Sequence, residues 1–102
     1  MEKNIEITLL YDQYKKLLTD NMRDIFELYY YSDLSLREIG ENKKISYQAA
    51  HDTVKKVENL LKEYEEKLNI YEMKKDIDIL IDNLKEDSVK NKEIDKIMKK
   101  YR

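Results

Sequence analysis

The 102-residue sequence predicts an all-α fold, a helical bundle that runs on into a long C-terminal helical extension. Three observations carry that expectation. There is no Pro and a single Gly, Gly40, so helix breakers are nearly absent. Lys, Glu, Leu and Ile dominate the composition, as in long amphipathic helices. The Asn-Gly and Asp-Gly turns that strand hairpins favour are missing.

Taken in order, Ile5, Leu9, Leu10, Tyr14, Leu17 and Leu18 recur at helical spacing and predict a first helix over roughly 4–17. Thr19 is placed to cap a second helix over 20–31, with Leu18 stapling against it. Met22, Ile25, Phe26 and Tyr29 form the apolar stripe of that helix. The run Tyr29-Tyr30-Tyr31 is expected to be core and rim rather than a base-stacking platform. Ser35, with Glu38 three residues on, has the pattern of a capping box for a short third helix that buries Leu36 and Ile39. Asn42-Lys43-Lys44 makes a turn, Ile45 is the buried residue after it, and Ser46 caps a fourth helix.

In the fourth helix Ala50, Val54, Val57, Leu61, Tyr64, Leu68 and Tyr71 follow one another at steps of four and three. Asn69 is its expected break. Met73, Ile77, Leu80, Ile81 and Leu84 outline a fifth helix, Glu86-Asp87-Ser88 a polar joint, and Ile94, Ile97, Met98 and Tyr101 a last charged helix. The expected division is a domain over 1–70 and an extension over 71–102.

Charge is uneven along this frame. Net charge is −3 over residues 1–34, +2 over 35–56 and −1 over 57–102, for −2 in all. The one basic stretch coincides with the two helices around the 42–44 turn, and their layout is that of a helix-turn-helix. Such a motif needs a small residue where its helices approach, a turn of three or four residues and buried anchors on the second helix. The opposite side, near that helix's start, must stay free for a major groove. Gly40 supplies the small residue, and Ala50 and Val54 the anchors. Lys44 stands where Gly is usual and is expected to adopt a positive φ unless Asn42 does so instead. The residues expected to face outward and contact DNA are Ser46, Tyr47, Gln48, His51, Asp52, Lys55 and Lys56, helped by Arg37, Lys43 and Lys44. Gln can bond an adenine edge in a bidentate way and Lys can contact phosphates.

The segments Leu18-Thr19-Asp20, Ile25-Phe26-Glu27-Leu28-Tyr29-Tyr30, Asp33-Leu34-Ser35-Leu36-Arg37-Glu38-Ile39-Gly40 and Ile45-Ser46-Tyr47-Gln48-Ala49-Ala50 resemble a sigma-factor (sigma-70) region 4 domain. With Leu60-Leu61-Lys62-Glu63-Tyr64-Glu65 added, the layout over about 4–70 resembles the YlxM family of small bacterial proteins. That resemblance implies a sigma-4-like helix-turn-helix fold and a regulatory protein tied to the signal recognition particle pathway. Tyr47 stands where Arg is frequent in such proteins, which weakens the case for direct guanine readout and leaves protein binding untouched.

Other classes are disfavoured. Without Cys there is no disulfide framework and no thiolate metal site. One His and no Gly-rich phosphate loop argue against an enzyme, and His51 has Tyr47 and Lys55 rather than a second ligand at i±4. No cofactor is expected. Neither a signal peptide nor a spanning segment is recognisable, so a cytoplasmic protein away from the membrane is expected. Two functions remain: a DNA-binding regulator, or a protein adaptor that engages the particle's GTPase. The stripe Val57, Leu61, Tyr64, Leu68 and Tyr71 is expected to serve as a homodimer or partner seam, with intramolecular packing as the competing role.

Overall fold

The computed structural model describes residues 3–86, 99 and 100. The described residues form five α-helices and no strand: α1 (Ile5–Tyr14), α2 (Asp20–Tyr30), α3 (Leu36–Lys43), α4 (Tyr47–Leu68) and α5 (Ile70–Glu86). A short 3-10 turn, Lys15–Leu17, follows α1. The expected last helix around Ile94, Ile97, Met98 and Tyr101 lies outside the described residues, as do Asp87 and Ser88 of the polar joint. The chain divides into two compact units, Met1–Lys67 and Leu68–Arg102.

In the first unit, α1 starts where Asn4 accepts the Glu6 N–H at 2.9 Å. Its buried face differs from the expected one. Ile7, Tyr11, Tyr14 and Leu18 are buried, whereas Ile5, Leu9 and Leu17 are exposed. Tyrosine explains the difference, because it buries its ring and still satisfies its hydroxyl. The Tyr11 ring stacks on Phe26 at 4.2 Å while its hydroxyl donates to Glu27. Tyr14 likewise donates to Glu65 Oε1 at 2.5 Å. Tyr14 and Leu18 are buried as expected, whereas the leucine-weighted reading of the helix passed over Ile7 and Tyr11.

Thr19 caps α2 by accepting the Met22 N–H at 3.2 Å. Arg23 ties the preceding turn down, donating to the Lys15 and Leu18 carbonyls at 3.1 and 3.2 Å. Ile25, Phe26 and Tyr29 are buried and Met22 is half-buried. Phe26, with no exposed surface, is sandwiched between Tyr11 and the Tyr30 ring at 4.3 Å. The tyrosine run grades from buried Tyr29 through half-buried Tyr30 to exposed Tyr31, which is core and rim.

The reciprocal capping box of α3 is complete. The Glu38 N–H donates to Ser35 Oγ at 3.1 Å, and the Ser35 N–H donates to Glu38 Oε1 at 3.0 Å. The Ser35 backbone N–H first, and then its side chain, hold the Glu38 carboxyl below its usual range. Ile25 and Tyr29 of α2, Leu36 and Ile39 of α3, and Ala50 and Val54 of α4 form one cluster. Leu28, Tyr30, Leu34 and Ile45 pack against its margin; Ile45 is half-buried rather than fully enclosed.

At the far end of α4 the helix stops as expected at Asn69, whose φ is 53°. In the second unit, Ile81 of α5 is buried, and Ile70, Tyr71 and Ile77 are half-buried. Met73, Leu80 and Leu84 of the expected stripe are exposed.

Candidate nucleic-acid interface

The corner between α3 and α4 depends on Gly40. A Cβ there would lie 2.8 Å from the Ile45 carbonyl oxygen, a backbone atom that cannot step aside. The chain reverses at Lys44, which adopts φ 57° and ψ 45°, the left-handed conformation the sequence points to. The Lys44 and Ile45 N–H groups both donate to the Gly40 carbonyl, the latter at 2.9 Å, closing a Schellman-type ending. Ser46 then caps α4 by accepting the Ala49 N–H at 3.0 Å.

This corner presses Ala50 and Val54 into the core with no exposed surface. It leaves the other side of the helix start open. Ser46, Tyr47, Gln48, Asp52, Lys55 and Lys56 are exposed and His51 is half-buried. The Tyr47 and His51 rings lie nearly parallel, 6.4 Å apart. The Gln48 side-chain amide donates to Asp52 Oδ1 at 2.8 Å, and His51 Nδ1 is 3.4 Å from the same oxygen.

Arg37, on α3, and Lys44, at the turn, are also exposed. Lys43 is engaged differently: it is half-buried and paired with Asp24 of α2 at 3.2 Å. Among the described residues, no carboxylate pairs with Arg37, Lys44, Lys55 or Lys56. The open face is therefore a polar helix start with four uncompensated cations near it, and with one carboxylate inside it.

The stripe further along α4 is mixed. Val57 and Leu61 have no exposed surface in a single chain. Tyr64 is half-buried, its ring 6.0 Å from that of Tyr14. Leu68 is half exposed and Tyr71 half-buried.

Sequence reasoning passed over Glu58, which is only 7% exposed and accepts a hydrogen bond from the Tyr30 hydroxyl. The signal was present: Val54, Val57, Glu58 and Leu61 follow i, i+3, i+4, i+7, so a carboxylate occupies the apolar stripe. Burial, followed by the bond to Glu58, pushes the Tyr30 phenol well above its ordinary pKa of 10.0; burial and Glu27 do the same to Tyr11.

Among the described residues, no helix is long and apolar enough to cross a membrane, and no three His, Asp or Glu side chains gather to hold a metal ion.

Comparison with known proteins agrees with this geometry. A family described as UPF0122, "Putative helix-turn-helix protein, YlxM / p13 like", matches residues 1–101. A UPF0122 protein of Clostridium kluyveri is 46% identical over 78 residues, covering 76% of this chain and 70% of its own. One from Thermoanaerobacter sp. strain X514 is 47% identical over 79 residues, 78% of this chain and 68% of its own. Another, from Clostridium botulinum strain Alaska E43, is 49% identical over 70 residues, 69% of this chain and 64% of its own. An all-α chain with a helix-turn-helix corner at Gly40–Ser46 and relatives this similar belongs to the UPF0122 family of YlxM/p13-like helix-turn-helix proteins.

Proposed function

We propose that this chain is a non-enzymatic, cytoplasmic regulatory protein that lays the start of α4, residues 46–56, in a major groove of DNA. One observation carries the reading: the first turns of α4 are anchored from behind by fully buried Ala50 and Val54 and leave a polar face open. Arg37, Lys44, Lys55 and Lys56 flank that face to meet phosphates. Four cations are few. Affinity rests on roughly four phosphate contacts, giving a shallow salt slope of about −4. Two copies presenting the same face would read two half-sites, and a melting midpoint that rises with protein concentration supports that assembly. The test is selection of host genomic fragments by the purified protein. A defined fragment enriched by the wild type and lost with Lys55→Ala/Lys56→Ala supports the reading; equal enrichment by both contradicts it.

A second reading is favoured by α5, where Met73, Leu80 and Leu84 are exposed on a highly charged helix. The family resemblance points to the signal recognition particle, and on this reading the chain is an adaptor for the particle's GTPase. Retention of that GTPase by the tagged protein after nuclease treatment supports it. An unchanged hydrolysis rate and unchanged sedimentation on mixing the two purified proteins remove it.

A further inference from the structure

The carboxylate inside the open face of α4 calls for an explanation. Asp52 projects to solvent between Gln48, one turn before it, and Lys55 and Lys56, about one turn after it. A negative charge there repels phosphates and works against the four cations. What it gains is the Gln48 amide, whose nitrogen donates to Asp52 Oδ1 at 2.8 Å.

A carboxylate accepts only, so the nitrogen end of the amide is the end that turns toward it. A primary amide has two N–H bonds. With one given to Asp52, the second N–H and Oε1 remain, and these are the donor and acceptor that an adenine edge takes through N7 and its N6 amino group. In open water such an i,i+4 pair holds only weakly. Between protein and base edges, with water displaced, the same bond strengthens.

We propose that Asp52 is a positioning residue for base readout, fixing the Gln48 amide toward adenine and exchanging general affinity for discrimination. This inference rests on the reading of α4 as the groove-entering helix.

Duplexes with a randomised centre, selected on the wild-type protein, provide the probe. Affinity is then measured for the selected duplex, for versions in which each A·T pair is replaced by G·C, and for an unrelated duplex. Asp52→Asn removes the charge and keeps an acceptor, whereas Asp52→Ala removes both; position 52 is exposed, so neither change disturbs the core. Both variants are expected to bind the unrelated duplex several-fold more tightly than the wild type. At the adenine where Gln48→Ala abolishes the preference, Asp52→Asn keeps discrimination of about tenfold, and Asp52→Ala falls toward about twofold. Discrimination by Asp52→Ala equal to the wild type overturns the inference, as does its equal loss in Asp52→Asn. If neither the wild type nor either variant binds any duplex, the groove reading itself fails; the unrelated-duplex titration separates that outcome from the others.

Discussion

From Tyr47 to Lys56, α4 turns two small anchors, Ala50 and Val54, into the core and keeps its polar residues outside. From Val57 to Leu68 the same helix does the reverse with its acids. Glu58 is drawn inward to the Tyr30 hydroxyl, and Glu65 accepts from Tyr14. Net charge changes with the task, +1 over residues 47–56 and −2 over 57–68. A helix start that must protrude needs slim anchors, so that α3 can cross behind it, and unpaired cations in front. The half that must hold the bundle together can bury polar atoms, provided each finds a partner. One helix thus carries an open half and a supporting half, and the supporting half is stitched by tyrosines from α1 and α2.

Several substitutions break or sharpen that contrast. The largest effect is expected in the support. Phe26→Ala empties a site with rings on both faces and should cost about 3–5 kcal/mol of unfolding free energy in a urea titration; a loss below 1 kcal/mol, on the order of a surface change, would show that the tyrosine stack holds nothing. Next is the corner. Gly40→Ala gains up to about 1 kcal/mol of helix propensity, but its Cβ collides with the Ile45 carbonyl. A net loss of about 2 kcal/mol is expected, with weaker duplex binding as α4 is displaced.

Tyr30→Phe leaves the buried Glu58 carboxylate without its hydroxyl donor, at a cost of roughly 1–3 kcal/mol near neutral pH. Alkaline titration tests the same pair. The phenols of Tyr30 and Tyr11 ionise near 10.0 when unfolded but hold their protons to higher pH in the fold. Their contribution is complete below about pH 10 and is lost as pH rises toward the folded values. Stability should fall above about pH 10, less steeply in Tyr30→Phe; equal slopes would mean that Tyr30 ionises alike in both states.

The smallest effect separates the two halves by sign. Lys44→Gly relieves a left-handed backbone and should stabilise the fold by about 0.5–1 kcal/mol, while the proposed function has it lose a cation meant for phosphate and bind a duplex more weakly. Binding that rises together with stability would place Lys44 off the DNA.

How far these features could be read from sequence follows from what each depends on. Caps and breaks are local, so Thr19, the Ser35–Glu38 box, Ser46 and Asn69 were legible. So was the Gly40 corner, because a lone glycine in a helical pattern needs a packing reason. The buried face of α1 was legible only in part: Tyr14 and Leu18 stood in the expected stripe, but Tyr11 did not, since it is enclosed by partners distant in sequence, Phe26 and Glu27. For the outward face, helical spacing opposite the anchors Ala50 and Val54 was enough to name the residues. That Gln48 is bound to Asp52 and Lys43 to Asp24 depends on rotamers and tertiary neighbours, which periodicity does not encode.

The central claim, that the open start of α4 meets a nucleic-acid backbone, is tested most directly by salt titration of binding to a selected duplex, wild type against Lys55→Ala/Lys56→Ala. The account predicts a wild-type slope of log affinity against log salt near −4, and a variant slope shallower by about 2, with unchanged thermal melting. Equal slopes and equal affinities for the two proteins would contradict it and move the interface away from α4.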